Sequence, residues 1–459
     1  MSQASIKIDG VRYIVTMDSE RRIIADGAVI ISGNRIDQVG KAADLAGTHA
    51  DTVIDGSGMV MTPGFVNGHM HISYAHAARG LFPDDLGAQY LPNVFRLQGA
   101  MTDTDEYATS LLAITELLKY GTTTFLDPGS TTHLDACMEA YRQSGCRIIV
   151  GRNVLDQPNP LNIPVQETDA AIRLTDETIS EFDGAMDGMV SAWAMPFSPE
   201  FCSTELLSSS HAIAQTAGTR STLHFTNGSR WIEECRRSYD CTPTEYLDRS
   251  GVLTPEMTLA HCLGISELEA GLIAERNTAV VMCPTAAIKG GAGMTRHALL
   301  PELLDSGVTV GLGTDAGNNS NLLETLRSVY LAAVLYKDGR QDVSMIPAET
   351  ALELGTIGGA AALGMGDIIG SIEPGKFADL VLFDTRRAEW AALHNPINSL
   401  VYNADGRSVH TVIVNGKVVV ASHKPRFVDE QALVAEVQDL GEALIKRTGV
   451  DYPPRWPVI

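Results

Sequence analysis

Five residues define the chemistry open to this chain. His69 and His71, in PGFVNGHMHIS, stand two apart, so on an extended strand both side chains point to one face and can grip a single ion together. A histidine pair of this kind is common in cores and on surfaces. Three further metal-competent residues change its weight: His224 closes the apolar run STLHFT, His261 closes MTLAHC, and Asp315 closes VTVGLGTD. A core histidine has no reason to sit at a strand terminus four times over. Residues of these types gathered at one point would hold a divalent cation and make bound water reactive.

Those strand ends need a scaffold. From about Met61 to Leu363, short apolar runs such as TTTFLD, RIIVGRNV, MVSAWAM and TAVVMC are each followed by a longer segment of helical period, such as LDACMEAYRQSG. Repeated strand-then-helix units imply a parallel sheet covered by helices, and eight of them close into a (β/α)8 TIM barrel with its chemistry at the strand C-termini. An open doubly wound sheet is the alternative. The two ends of the chain read differently. Residues 6 to 60 carry short alternating strands, and GSIEPGKFADLVLFD and VHTVIVNGKVVVA repeat that texture near the end, with Asn415-Gly416 as a two-residue hairpin signal. The expected fold is therefore α/β: residues 1–60 the N-terminal part of a small β-sandwich, 61–368 the barrel, 369–425 the C-terminal part of the sandwich, and 426–459 a terminal amphipathic helix (429–447) and tail.

Composition removes several classes of partner. With 34 Lys plus Arg against 56 Asp plus Glu, the chain of 459 residues carries a formal charge of −22, which opposes binding to nucleic acid. No apolar run approaches the roughly 18 to 20 residues of a membrane helix, and the start has no signal-peptide pattern. Seven cysteines, odd in number and without a CxxC pair, point to thiols in a reducing compartment, so a cytoplasmic location is expected. Cys262 directly follows His261 and should face away from it on a strand, as a structural thiol rather than a nucleophile.

PGFVNGHMH, the two later strand-end histidines, GTDAGNNSN and the closing GSIEPGKFADLVLFD together resemble the amidohydrolase superfamily, especially its branch of aminohydrolases and triazine chlorohydrolases. The resemblance runs from about Ile6 to Val420. It implies that His69, His71, His224 and Asp315 ligate a metal, that His261 polarises substrate or shuttles a proton, and that the chain forms a homodimer or tetramer acting on a small molecule. Two-metal members of the superfamily commonly bridge their ions with a carboxylated lysine before the third histidine. This chain has no lysine between Lys119 and Lys289, which favours one metal. Zn²⁺ suits three imidazoles and a carboxylate, with Fe²⁺ or Co²⁺ feasible. A bound divalent ion lowers the pKa of water from near 16 to about 7. Asp315 can then take the proton while His261 stabilises developing charge, and the adduct collapses to expel an amine.

Two positions depart from the resemblance. Deaminases of this branch carry a glutamate three residues after the third metal histidine, where this chain has Asn227, whose amide cannot deliver a proton. Amides, ureas and carbamates need no such proton, so their hydrolysis is preferred here over heteroaromatic deamination, with hydrolytic dechlorination a third possibility. In MPFSPEFCSTELL, Phe197 replaces a histidine that bonds nucleosides in the family, which implies a more apolar ligand unless the ring is simply core. Glu200, just beyond, is the candidate for a displaced acid or else a loop carboxylate. The segment from His71 to Met101 should wall the pocket, with Tyr74, Tyr90 and Phe95 as candidate substrate contacts and His76 a loop histidine. His133 and Asn318 complete the candidate binding set, Asn318 alongside Asn319 in the turn after Asp315. The opposing reading, a non-catalytic barrel scaffold, would expect decayed ligands, and all five positions are intact.

Overall fold

The computed structural model describes residues 4–74, 76–227 and 229–459, without the side chains of 227, 229 and 230. Two four-stranded parallel sheets form its centre. The first joins Phe65–Asn67, Thr122–Leu126, Arg147–Val150 and Val190–Ala192; the second joins Ser221–Asn227, Met257–Leu263, Ala279–Met282 and Val310–Leu312. These strands are apolar on both faces. Phe65, Phe125, Ile148, Leu223, Val280 and Leu312 are all buried, as a parallel sheet covered by helices requires, each such side chain contributing about 1.5–3 kcal/mol. A parallel bridge between Ala194 and Ser221 links one pair of sheet edges. At the other, the Gly68 amide donates to the Leu312 carbonyl at 2.8 Å and the Asp315 amide to His69 at 3.0 Å.

The two ends of the chain meet in one nine-stranded sheet. Met59–Pro63 pairs antiparallel with Leu380–Asp384, which brings strands from before and after the central region side by side. Asn415 and Gly416 adopt positive φ (50° and 75°) between strands Val409–Val414 and Lys417–Ala421, the turn their sequence signals. A buried ion pair fastens this sheet to the centre. Arg147, at the start of its strand, donates through Nε to Asp379 Oδ2 at 2.8 Å, and the same carboxylate accepts the Asn415 amide at 2.6 Å. With its lone pairs satisfied the pair is tolerated in the interior, whereas removing one partner costs about 3–5 kcal/mol.

The C-terminal helix spans Glu430–Thr448, capped by Asp429, whose carboxylate accepts the amides of Gln431 and Ala432. It lies behind the segment that follows His71. Gly441 passes so close to Ala77 that a side chain there would strike the Ala77 carbonyl. Leu444 and Val450 share one apolar cluster with Tyr74, Phe82 and Leu97, and Arg447 pairs with the buried Asp105 at 2.5 Å. Among the described residues no helix is long and apolar enough to cross a membrane.

Candidate metal centre and active site

The five strand-end residues converge. Ring centroids of His69 lie 5.1, 4.9 and 4.8 Å from those of His71, His224 and His261. Possible ligand atoms of His69, His224 and His261, and again those of His69, His71 and Asp315, lie within 4.8 Å of one another. His71 Nε2 is 3.2 Å from His224 Nε2 and 3.4 Å from Asp315 Oδ1. Both nitrogens of His69 and the Nε2 of His261 are buried with no hydrogen-bond partner among the described residues. Unpaired buried nitrogens carry a penalty of about 1–3 kcal/mol each, so a convergent set of them fits a cation better than it fits a packed core.

Protonation favours the same use. Burial, and then mutual repulsion, holds the His69 and His71 imidazoles well below the usual histidine range, and burial takes His261 to about 4. The rings are neutral near pH 7, with lone pairs free to bind a cation. Burial pushes the Asp315 carboxyl up. Outer partners fix which nitrogen faces inward: His224 Nδ1 donates to the Phe197 carbonyl at 2.9 Å, and His71 Nδ1 bonds Ser130 Oγ. Ser130 stands in the turn after Thr122–Leu126, shaped by the buried Asp127, which accepts the Gly129 amide and the Thr131 hydroxyl; burial lifts its pKa to about 6. Asp315 Oδ1 accepts the Ala316 amide at 2.6 Å and Oδ2 accepts Asn319 Nδ2 at 3.1 Å. Thr226, His261 and Asp315 all have positive φ (44°, 76° and 61°), the backbone strain that clusters at functional sites.

Aromatic rings stand over two of the imidazoles. Phe197 stacks on His224 at 4.8 Å and Tyr74 tilts against His71 at 5.6 Å, with Phe95 between them at 6.2 Å from Phe197 and 5.9 Å from Tyr74. Tyr90 lies further out, where its hydroxyl donates to the Asn318 carbonyl at 2.8 Å; with Asn318 it lines a cavity of about 230 Å³ that also holds Phe82 and Lys289. His133 faces elsewhere. It pairs with Asp103, and its Nε2 bonds the Met101 carbonyl at 3.1 Å, so neither nitrogen turns to the histidine cluster. Glu200 is half-buried in the turn after Met195–Pro196, near enough for its charge to add slightly to the burial that raises the Cys235 thiol. Asn227 ends its strand, and its side chain lies outside the described residues. All seven cysteines are free and buried, and burial pushes the Cys262 thiol up, as a structural thiol requires.

Neither Ser130 nor Asp127 was among the residues singled out from sequence. A serine in a DPGS turn carries no spacing signal, and only the fold brings it to His71. His76, read from sequence as a loop histidine, is buried against Glu116.

The two parallel sheets thus bring four imidazoles and a carboxylate together at one end of their strands. The amidohydrolase family model matches residues 60–419, and the chain belongs to that family. It is a hydrolase acting on carbon–nitrogen bonds. The chain is 32% identical over 447 residues to a 5-methylthioadenosine/S-adenosylhomocysteine deaminase of Pelotomaculum thermopropionicum, covering 97% of this chain and 100% of that one. Its fold matches the crystal structure of an adenosine deaminase from Xanthomonas campestris with bound zinc (TM-score 0.89, 27% identity, 96% of this chain and 99% of that one). It also matches the atrazine chlorohydrolase of Arthrobacter aurescens complexed with zinc (TM-score 0.87, 25% identity, 95% and 100%).

Proposed function

We propose that this protein is a zinc-dependent hydrolase that removes an amino substituent, as ammonia or an amine, from a small nitrogen heterocycle carrying apolar groups. The observation that carries the reading is the convergence of His69, His71, His224, His261 and Asp315 at one end of the parallel strands, with nitrogens of His69 and His261 unpaired among the described residues. The two inter-sheet junctions and the family support a closed (β/α)8 barrel over residues 61–368, between sandwich segments 1–60 and 369–425 and ahead of the terminal helix and tail of 426–459. His69, His71, His224 and Asp315 would hold one ion. Three imidazoles and a carboxylate suit Zn²⁺, which stands in the two crystal structures compared; Fe²⁺ or Co²⁺ would also fit the donors.

When bound, such an ion supplies the Lewis acidity that makes water nucleophilic near pH 7. Asp315 takes a proton from the attacking water, held for it by the Ala316 amide and the Asn319 side chain. His261, neutral and with no partner at Nε2 among the described residues, is available to hydrogen-bond the reacting centre, while Asp315 passes the proton it has taken to the leaving nitrogen. Phe197, Phe95 and Tyr74 form an apolar slot for a flat ring, while Tyr90 and Asn318 line the outer cavity.

A second reading, hydrolysis of an aryl amide, urea or carbamate, is favoured by Asn227, which cannot protonate a ring nitrogen. The test is product analysis with zinc-reconstituted protein on aminopurine nucleosides, aminotriazines, and N-aryl ureas and carbamates. Ammonia or alkylamine from a heterocycle is expected. Arylamine from the ureas, with every heterocycle untouched, would assign the second reading, and chloride from a chlorotriazine would assign dechlorination.

A further inference from the structure

Away from the histidines, a single buried carboxylate ties together the two loops that flank Asp315. Glu116 sits on the helix Asp103–Lys119 with only 11% of its side chain exposed. Its Oε2 accepts from Arg79 Nη1 at 2.5 Å and faces His76 Nε2 at 3.6 Å, while Oε1 accepts the backbone amide of Leu323 at 2.8 Å. The same Arg79 nitrogen donates to the Asn321 carbonyl at 3.2 Å. His76 completes the cluster from the other side. Its ring occupies the space beside Gly317, where a Cβ would fall 2.6 Å from Cε1, so this turn can lie against the imidazole only with glycine there. Burial pushes the Glu116 carboxyl up, and His76 and Arg79 outweigh that effect to hold it at about 2. It is therefore a permanent anion at working pH.

Each loop leads into the site. The residues around His76 and Arg79 follow His71 and Tyr74 directly. The turn that ends on Glu116, at Leu323, begins at Asp315, whose two oxygens are held by Ala316 and Asn319 of that same turn. Asn321, at φ 64°, bends the chain between the two anchors, leaving a short connection with little slack to absorb a displaced end.

We propose that Glu116 is a positioning residue: through Arg79 and the turn 316–323 it sets the place of the Asp315 carboxylate among the histidines, and with it the grip of the site on its ion. This rests on the assignment of Asp315 as a metal ligand made above. Supporting contacts outside the ligand set commonly change metal affinity by about 10- to 100-fold when removed, which sets the scale expected here.

The test uses the full chain loaded with zinc and follows release of the metal to a colorimetric chelator alongside calorimetric Tm. Glu116→Gln and Arg79→Met should each release zinc at least about tenfold faster than wild type, and Arg79→Lys, which keeps the charge, should recover part of the retention. Asp379→Asn breaks the remote buried pair with Arg147 and serves as the structural comparison, with a lowered Tm and wild-type zinc release. Variants of Glu116 and Arg79 that lose Tm as Asp379→Asn does, yet hold zinc as wild type does, would reduce the cluster to a brace and overturn the proposal. If Glu116→Gln does not fold, the contrast between Arg79→Met and Arg79→Lys decides on the same readout. A wild-type chain that takes up no zinc overturns the ligand assignment along with this inference; unchanged release from variants of a zinc-binding wild type overturns this inference alone.

Discussion

The floor of the site and its wall are held in different ways. In the floor, His224 and His261 stand on strands whose register is fixed by a ladder of backbone hydrogen bonds, His69, His71 and Asp315 stand two to four residues beyond the ends of theirs, and every one of these residues except the half-buried His224 is nearly inaccessible. The wall, Tyr74, Tyr90 and Phe95, stands on a long connection with little regular structure before Tyr90–Gln98, and takes its support from the far end of the chain through Leu444, Val450 and Tyr452. Strand ends can place a nucleophile's partners within tenths of an ångström because the sheet cannot shift one of them alone. A loop wall backed by side chains can be re-shaped by single substitutions, which would suit the substrate-lining role proposed for it.

The largest effect should come from the floor. Asp315→Asn should lower kcat/KM by about 10³- to 10⁴-fold in a steady-state assay on the substrate that the product panel identifies, with far-UV circular dichroism unchanged. If the loss is tenfold or less, the floor is not where the chemistry occurs. Ser130→Ala removes the outer partner of His71 and should weaken zinc binding by about 10- to 100-fold by competition titration. In the wall, Phe197→Ala should act on KM rather than kcat, raising it about tenfold for aromatic substrates, since a ring contact contributes about 0.5–1.5 kcal/mol beyond its area. An equal fall in kcat would mean that Phe197 acts on the floor through His224.

Two smaller effects mark the join between the regions. The Glu116 carboxyl is held at about 2 against an ordinary 4.5, so its pairing stabilises the fold fully above pH 4.5 and that contribution is lost as pH falls toward 2. Wild type and Glu116→Gln should therefore differ most in Tm at neutral pH and approach one another below pH 4.5. Tyr452→Ala removes the ring that meets Phe82 at 5.2 Å, and should raise KM about twofold with kcat retained.

The residues of the floor and of the wall could be picked out in the sequence, whereas the contacts that support them could not. A parallel strand announces itself by an apolar run, and a polar residue ending that run at His224, His261 or Asp315 has few reasons to be there. Such signals are local. Ser130 beside His71, Glu116 beneath Arg79 and Tyr452 behind Phe82 are joined only by folding across 59, 37 and 370 residues of chain, and no spacing encodes them. Tyr74 and Phe95 were identified as pocket candidates from loop position and Phe197 from the family resemblance, yet their order around the imidazoles needed coordinates. His133 shows the converse: it follows a strand end as the site residues do, but Asp103 and the Met101 carbonyl draw its ring aside. The preference for amides and ureas over heterocycles rested on one position, Asn227, whereas resemblance to deaminases runs through nearly the whole chain.

The packing of residues 430–452 against the segment after His71 sets an order of events during synthesis. Every strand that contributes to the histidine cluster leaves the ribosome before this support does. A nascent chain can assemble its imidazoles early, but the aromatic cover has nothing to lean on until translation passes Tyr452. The aromatic cover therefore gains its backing only after the residues of the histidine cluster have been made.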